Sequence, residues 1–156
     1  MKKLGLIIGA ALLLQGCGSE AEQPLRASDA WVRATAPSQQ SSAAYLTLSS
    51  ERADLITGVT VDSKIAAKAS LHQTVTDHSG HKAGVHKLGS EMGPEMSKMR
   101  AVQSIPVRKG ETKLKPGGYH IMLEGLRGQI GRGEKVKLVL QSEKQGKLKV
   151  TAQGRY

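Results

Sequence analysis

The sequence predicts an all-β domain, an antiparallel β-sandwich, and three observations predict it. Short stretches of alternating apolar and polar residues recur at intervals of about ten residues. Gly-rich turns separate them, and no stretch carries a long 3.6-residue apolar period. With 156 residues, 38% hydrophobic and 3% aromatic content and no Phe, the chain can fill one core but hardly two.

The first element is not part of that domain. Lys2 and Lys3 precede an apolar stretch from Leu4 to Leu14, the charged and apolar regions of a secretory signal. It is shorter than the roughly 18 residues that a membrane-spanning helix needs. It closes on Leu14-Gln15-Gly16-Cys17, which resembles the lipobox of bacterial lipoproteins. The expectation is a signal peptide over 1–16 and a lipid-modified Cys17. Cys17 is the only cysteine, so its acylation leaves the mature chain without a thiolate. Disulfides, zinc–thiolate sites and cysteine catalysis are thereby excluded. Residues 17–28, rich in Ser, Glu, Gln and Ala and without periodicity, read as a flexible tether, and the domain is expected over 29–156.

Within the domain, Ala30 to Arg33 is a short extended segment. A second, Ala43 to Leu48, places Ala44, Leu46 and Leu48 on one face. Ile65 to Leu71 is rich in Ala and Lys; propensity favours helix there, while so short a stretch leaves its period undecided. Pro116-Gly117-Gly118 is a turn signal, and a strand leaving it puts His120 and Met122 on one face and Ile121 and Leu123 on the other. Val136, Leu138 and Leu140, then Leu148, Val150 and Ala152, flank the turn from Glu143 to Gly146 as a terminal hairpin. The expected core is Trp31, Leu46, Ile121, Leu123, Val136 and Leu138.

The formal net charge is +10. Removing Lys2 and Lys3 from the 23 basic residues, against 13 acidic ones, leaves +8 on the mature chain. Export and the scarcity of stacking aromatics argue against a nucleic-acid partner. A basic surface is compatible with anionic lipid or an acidic protein.

Histidine and methionine carry the chemical signal. His72, His78, His81, His86 and His120, with Met92, Met96, Met99 and Met122, all fall between His72 and Met122, and neither type recurs elsewhere in the mature chain. Core filler would scatter its methionines. Imidazole suits copper or zinc, but thioether sulfur favours Cu(I).

The stretches Asp29 to Pro37, Ala43 to Leu48, Leu71-His72, Met96 to Val102 and Leu114 to Leu123 resemble the periplasmic copper A chaperone (PCuAC) family. The resemblance implies a cupredoxin-like β-sandwich, with residues from Ala67 to His72 in a strand. It also implies a Cu(I) site made by His72, Met99, His120 and Met122, with Met99 preferred to Met96 because Arg100, Val102 and Ile105 follow it in the family's pattern. The function implied is a non-enzymatic copper chaperone, anchored by lipid in the periplasm or cell envelope. Its acceptor would be the copper subunit of cytochrome c oxidase or a thioredoxin-like copper assembly protein. The interval between His72 and Met99 is longer than in the family, so about 76–94 is read as an inserted loop. Its His78, His81, His86 and Met92, with Met96 just beyond it, are candidates for an auxiliary site that would take a second copper as Cu(II). The alternative reading is a copper-sequestering or resistance lipoprotein that binds several ions. A metalloenzyme would need a general base, and the interval from His72 to Met99 supplies carboxylates only at Asp77, Glu91 and Glu95.

Overall fold

Alternation becomes ten strands in the computed structural model, which describes residues 24–76 and 97–156. The signal peptide, Cys17, the tether as far as Gln23, and residues 77–96 with His78, His81, His86, Met92 and Met96 lie outside the described residues. In chain order the strands are β1 (Arg26–Arg33), β2 (Ser41–Ser50), β3 (Asp54–Val61), β4 (Ala66–Thr76), β5 (Ser97–Ala101), β6 (Ile105–Val107), β7 (Gly110–Leu114), β8 (Tyr119–Leu126), β9 (Lys135–Ser142) and β10 (Gly146–Arg155). They form one sheet in the order β5-β4-β8-β2-β1-β10-β9-β3-β6, and β7 pairs with the second half of β2.

The all-β expectation holds, with one change in strand sense. β1 and β10 pair in parallel while every other pair is antiparallel, so the sheet is mixed. A parallel pair needs a long connection, and here the whole chain between the first and last strands supplies it. The terminal hairpin forms as expected, with Leu148 opposite Leu140 and Ala152 opposite Val136. Strand β4 runs through Ala66 to His72, so sheet pairing with β8 overrides the local helix propensity. Strand β1 starts at Arg26 and Leu25 is already buried, so ordered structure begins before Asp29.

Ala44, Leu46 and Leu48 on β2, Ile121 and Leu123 on β8, and Val136, Leu138 and Leu140 on β9 are buried in one core with Ile56, Ile105 and Ile130. Each Val, Leu or Ile among them contributes roughly 1.5–3 kcal/mol by leaving water.

Trp31 departs from the expected core. Leu25 and Ala27 face inward, the register slips between Ser28 and Trp31 at a β-bulge, and beyond it Ala30, Val32 and Ala34 face inward. Asp29 takes the slack with φ at 50°, a conformation that Asp tolerates better than most residues. The extra residue inverts the alternation and turns Trp31 to the outer face, where it is half-buried against Tyr45.

Candidate metal centre

The turn at Pro116 to Gly118 sets the first ligand candidate. Gly117 adopts φ of +77°, which a residue with a Cβ rarely does, and the Gly118 amide closes the turn on the Lys115 carbonyl at 3.0 Å. Strand β8 then leaves with Ile121 and Leu123 in the core and His120 and Met122 on the opposite face, as the period of two requires.

Register brings the second histidine alongside. His72 on β4 lies directly opposite His120, and Ser70 lies opposite Met122. The two imidazole rings have centroids 5.8 Å apart. On the other side of β4, Met99 of edge strand β5 lies opposite Thr74, two positions along the same face from His72. All four residues singled out in the sequence therefore belong to one sheet face. Met122 is half-buried, and Met99 is 60% exposed at the edge. Among the described residues no cluster of three or more His, Cys, Asp or Glu side chains forms, and the two histidines and two methionines of this face offer imidazole and thioether donors.

Hydrogen bonding decides which nitrogens are available. The Gly118 carbonyl can only accept, so His120 donates to it from Nδ1 at 3.0 Å, and the Thr74 amide donates to the same oxygen at 3.1 Å. This leaves the lone pair on His120 Nε2. Ser70 has one hydroxyl proton, which it donates to Glu124 Oε2 at 3.4 Å; its oxygen then accepts from His72 Nε2 at 3.1 Å. This leaves the lone pair on His72 Nδ1. These two nitrogens, His72 Nδ1 and His120 Nε2, are the buried side-chain polar atoms without a partner among the described residues. A buried acceptor left unpaired costs about 1–3 kcal/mol, a cost that an ion bound between them would remove.

The surroundings favour the neutral form of His72. Burial first, then the neighbouring His120, hold the His72 pKa below its ordinary value of 6.5, against an upward pull from Glu124 and with a further downward push from Lys68. Lys68 meets Glu124 at 3.8 Å, a solvent-exposed pair that contributes little by itself. Tyr45 covers His120 with ring centroids 6.2 Å apart, and Trp31 stacks on Tyr45 at 4.5 Å. The sequence reading missed Ser70, Glu124 and Tyr45. The signal for the first two was the same period of two: Ser70 precedes His72 by two positions and Glu124 follows Met122 by two.

A family model of LpqE-like lipoproteins matches residues 25–153, nearly the whole described domain. The chain belongs to the LpqE-like family. Among solved structures, the LpqE-like chain is similar to DR1885 from Deinococcus radiodurans at 29% identity. The apo solution structure of that protein aligns over 99% of this chain and 93% of its own with a TM-score of 0.53, and its Cu(I) form over 90% and 83% with 0.52. The apo PCuAC domain from PmoF1 aligns over 86% of this chain and 95% of its own, at 18% identity and a TM-score of 0.60. The copper-bound PCuAC domain from PmoF2 gives the same coverage at 16% and 0.59. At those identities the two PCuAC domains speak to fold alone, and the fold of this LpqE-like chain is PCuAC-like. Among curated proteins none matches it.

Proposed function

We propose that this LpqE-like chain is a Cu(I) carrier of the cell envelope, held by the lipid on Cys17, that takes up copper through His72, Met99, His120 and Met122. The observation that carries the reading is the pair of buried, unpartnered nitrogens, His72 Nδ1 and His120 Nε2, beside methionines on one sheet face. Two neutral imidazoles and two thioethers form a soft, uncharged donor set, which stabilises the lower oxidation state of copper and binds hard cations poorly. The Cu(I)-bound form of DR1885, at 29% identity, supports copper as the cargo.

Position suggests a division of labour. His72 and His120 are held by strand pairing and by hydrogen bonds at their second nitrogens, so they form the fixed half of the site. Met99, exposed at the sheet edge, is the donor an incoming acceptor can replace first. Stepwise ligand exchange then moves the ion without a covalent step or a general base, the behaviour of a carrier rather than an enzyme. Delivery to the copper subunit of cytochrome c oxidase, directly or through a thioredoxin-like copper assembly protein, is the corresponding role.

The test is anaerobic mass spectrometry of the chain with Cu(I) and with zinc, followed by X-ray absorption on the loaded protein. One tightly held Cu(I) with sulfur and nitrogen neighbours is expected. A coordination shell of only nitrogen and oxygen would overturn the ligand set, and several equally tight ions would replace the carrier with a sequestering protein.

A further inference from the structure

The outward faces of the last two strands carry a charge pattern that the metal site does not use. On β9 the outward positions include Lys135 and Lys137, and on β10 they include Lys147, Lys149 and Arg155; the inward positions are apolar, Ser142 or glycine. Neither strand contains an acidic residue. Lys137 lies opposite Thr151 and Lys149 opposite Val139, so no carboxylate stands across from either cation. On the two neighbouring strands, Arg33 of β1 lies alongside Arg155, and β3 presents Gly58 and Thr60 to this face. Glu134 precedes the hairpin and accepts the Gly131 amide at 2.8 Å, and Glu143 lies in the β9–β10 turn, outside both strands. None of these five hairpin cations forms an ion pair among the described residues. Random placement of a basic composition would scatter acids through such a face, and like charges left unpaired repel one another.

The chain enters the fold at this same hairpin. The Leu25 amide donates to Oε1 of Gln145, in the β9–β10 turn, at 2.7 Å. Only eight peptide steps separate Cys17 from Leu25. Fully extended they reach about 29 Å, so a lipid on Cys17 holds the hairpin turn within that distance of the bilayer surface.

We propose that the outer face of the β9–β10 hairpin docks on anionic lipid headgroups, fixing the orientation of the anchored domain on its membrane. This rests on the lipid-anchor part of the reading above and not on the metal site. A lipid surface is favoured as the occupant because the face spreads its cations over both strands, Lys147 and Lys149 near the turn and Lys135, Lys137 and Arg155 toward the other end, and because its turn is next to the point of anchorage. In the sheet order β1, β2 and β8 separate the hairpin from β4 and β5. Docking through β9 and β10 therefore leaves Met99 and the histidine pair on strands that do not contact the membrane, open to an acceptor.

The test uses the whole chain, its intact mass first showing the acyl anchor, in vesicles of phosphatidylcholine alone or with about 30% phosphatidylglycerol. A water-soluble acylating reagent labels the lysines, and mass spectrometry reads each site. Lys135, Lys137, Lys147 and Lys149 are expected to be protected on anionic vesicles only, and to regain reactivity near 0.5 M salt, where the Debye length is a few ångströms. Lys113 and Lys115, on β7 and its following turn, are expected to label equally on both. In the double variant K137Q/K149Q the docked-to-undocked ratio should fall by about 30-fold, seen as exposure of Lys135 and Lys147, with Cu(I) binding unchanged. Equal labelling of the hairpin lysines on both vesicles would overturn the proposal, as would protection that appears only when an acidic protein is added. A chain without the anchor would instead fail the earlier reading at the mass measurement.

Discussion

Each histidine of the candidate site presents one nitrogen because the other is already engaged, and the two arrangements differ in strength. His120 donates to a backbone carbonyl that the β4 amide of Thr74 also holds, so its ring is fixed by the sheet itself. Replacing His120 with Ala is expected to weaken Cu(I) by more than about 100-fold, measured by competition with a chromophoric chelator, since loss of an outer partner alone costs 10- to 100-fold. His72 depends on a side chain. Ser70→Ala removes the acceptor for Nε2, so the metal-free ring should lose its single tautomer, read from histidine ¹⁵N shifts, and Cu(I) affinity should fall about tenfold. Ser70→Thr keeps the hydroxyl and should restore both. Unchanged ¹⁵N shifts in the Ala variant would show that Ser70 does not set the tautomer.

Individual strands are locked together by two local devices remote from the metal face. Asp54, at the start of β3 and 4% exposed, accepts from the Ser142 hydroxyl and from Nε2 of Gln145 at 3.0 Å, and from the Leu55 and Lys144 amides at 2.7 and 3.2 Å. Burial alone would raise its pKa, but these bonds outweigh it and hold the carboxyl below its ordinary value of 3.8. Its folded pKa being depressed, Asp54 contributes stability that is complete above the unfolded value and is lost as pH falls below about 4. Asp54→Asn turns an NH₂ toward donors, and an urea midpoint lower by the equivalent of about 2 kcal/mol, with unchanged slope, is expected near neutral pH. The second device is Gly154 on β10, whose amide donates to the Glu134 carbonyl and whose carbonyl accepts from Gly133, both at 2.8 Å. A Cβ there would overlap the Gly131 carbonyl oxygen, a backbone atom that no rotamer change can move aside. Gly154→Ala should therefore lower the melting temperature and unseat the loop before β9, whereas Gly128→Ala, with open space around it, should not.

For the molecule as a whole, the core and the candidate site are separable. The buried cluster draws on residues from β1 to β4 and from β6 to β10 without any metal-ligating side chain, so the metal-free chain is expected to be folded by circular dichroism. Cu(I) should add stability by mass action alone, about 2.7 kcal/mol at a free concentration 100 times the dissociation constant. An unfolded metal-free chain would indicate a metal-nucleated fold instead. The same separation gives a pH signature. His72 has a folded pKa below its ordinary 6.5, so the unfolded chain binds more protons just below that value, and stability is full above pH 6.5 and declines beneath it. Thermal melts of the metal-free protein between pH 7.5 and 5.5 should show this decline, and His72→Gln should flatten it.

What the sequence determined by itself is what lies within a few residues along the chain. The period of two on β8 placed His120 and Met122 together against Ile121 and Leu123, and the collection of His and Met in one span singled out the candidate donor types without a fold. The terminal hairpin was legible for the same reason, since its strands and turn are contiguous. Tertiary structure decided the rest. Only the register of β4 on β8 sets His72 against His120 and brings Ser70 to Glu124, 54 residues apart in sequence, and only those contacts choose which nitrogen of each ring is free. The bulge at Asp29 inverted the alternation of β1 and moved Trp31 from the expected core to the outer face, where it backs Tyr45 beside the site. Alternation specifies a face relative to neighbours on the same strand. Which strand lies alongside, in which register and sense, depends on burying one core with all strands at once, and no local pattern contains that constraint.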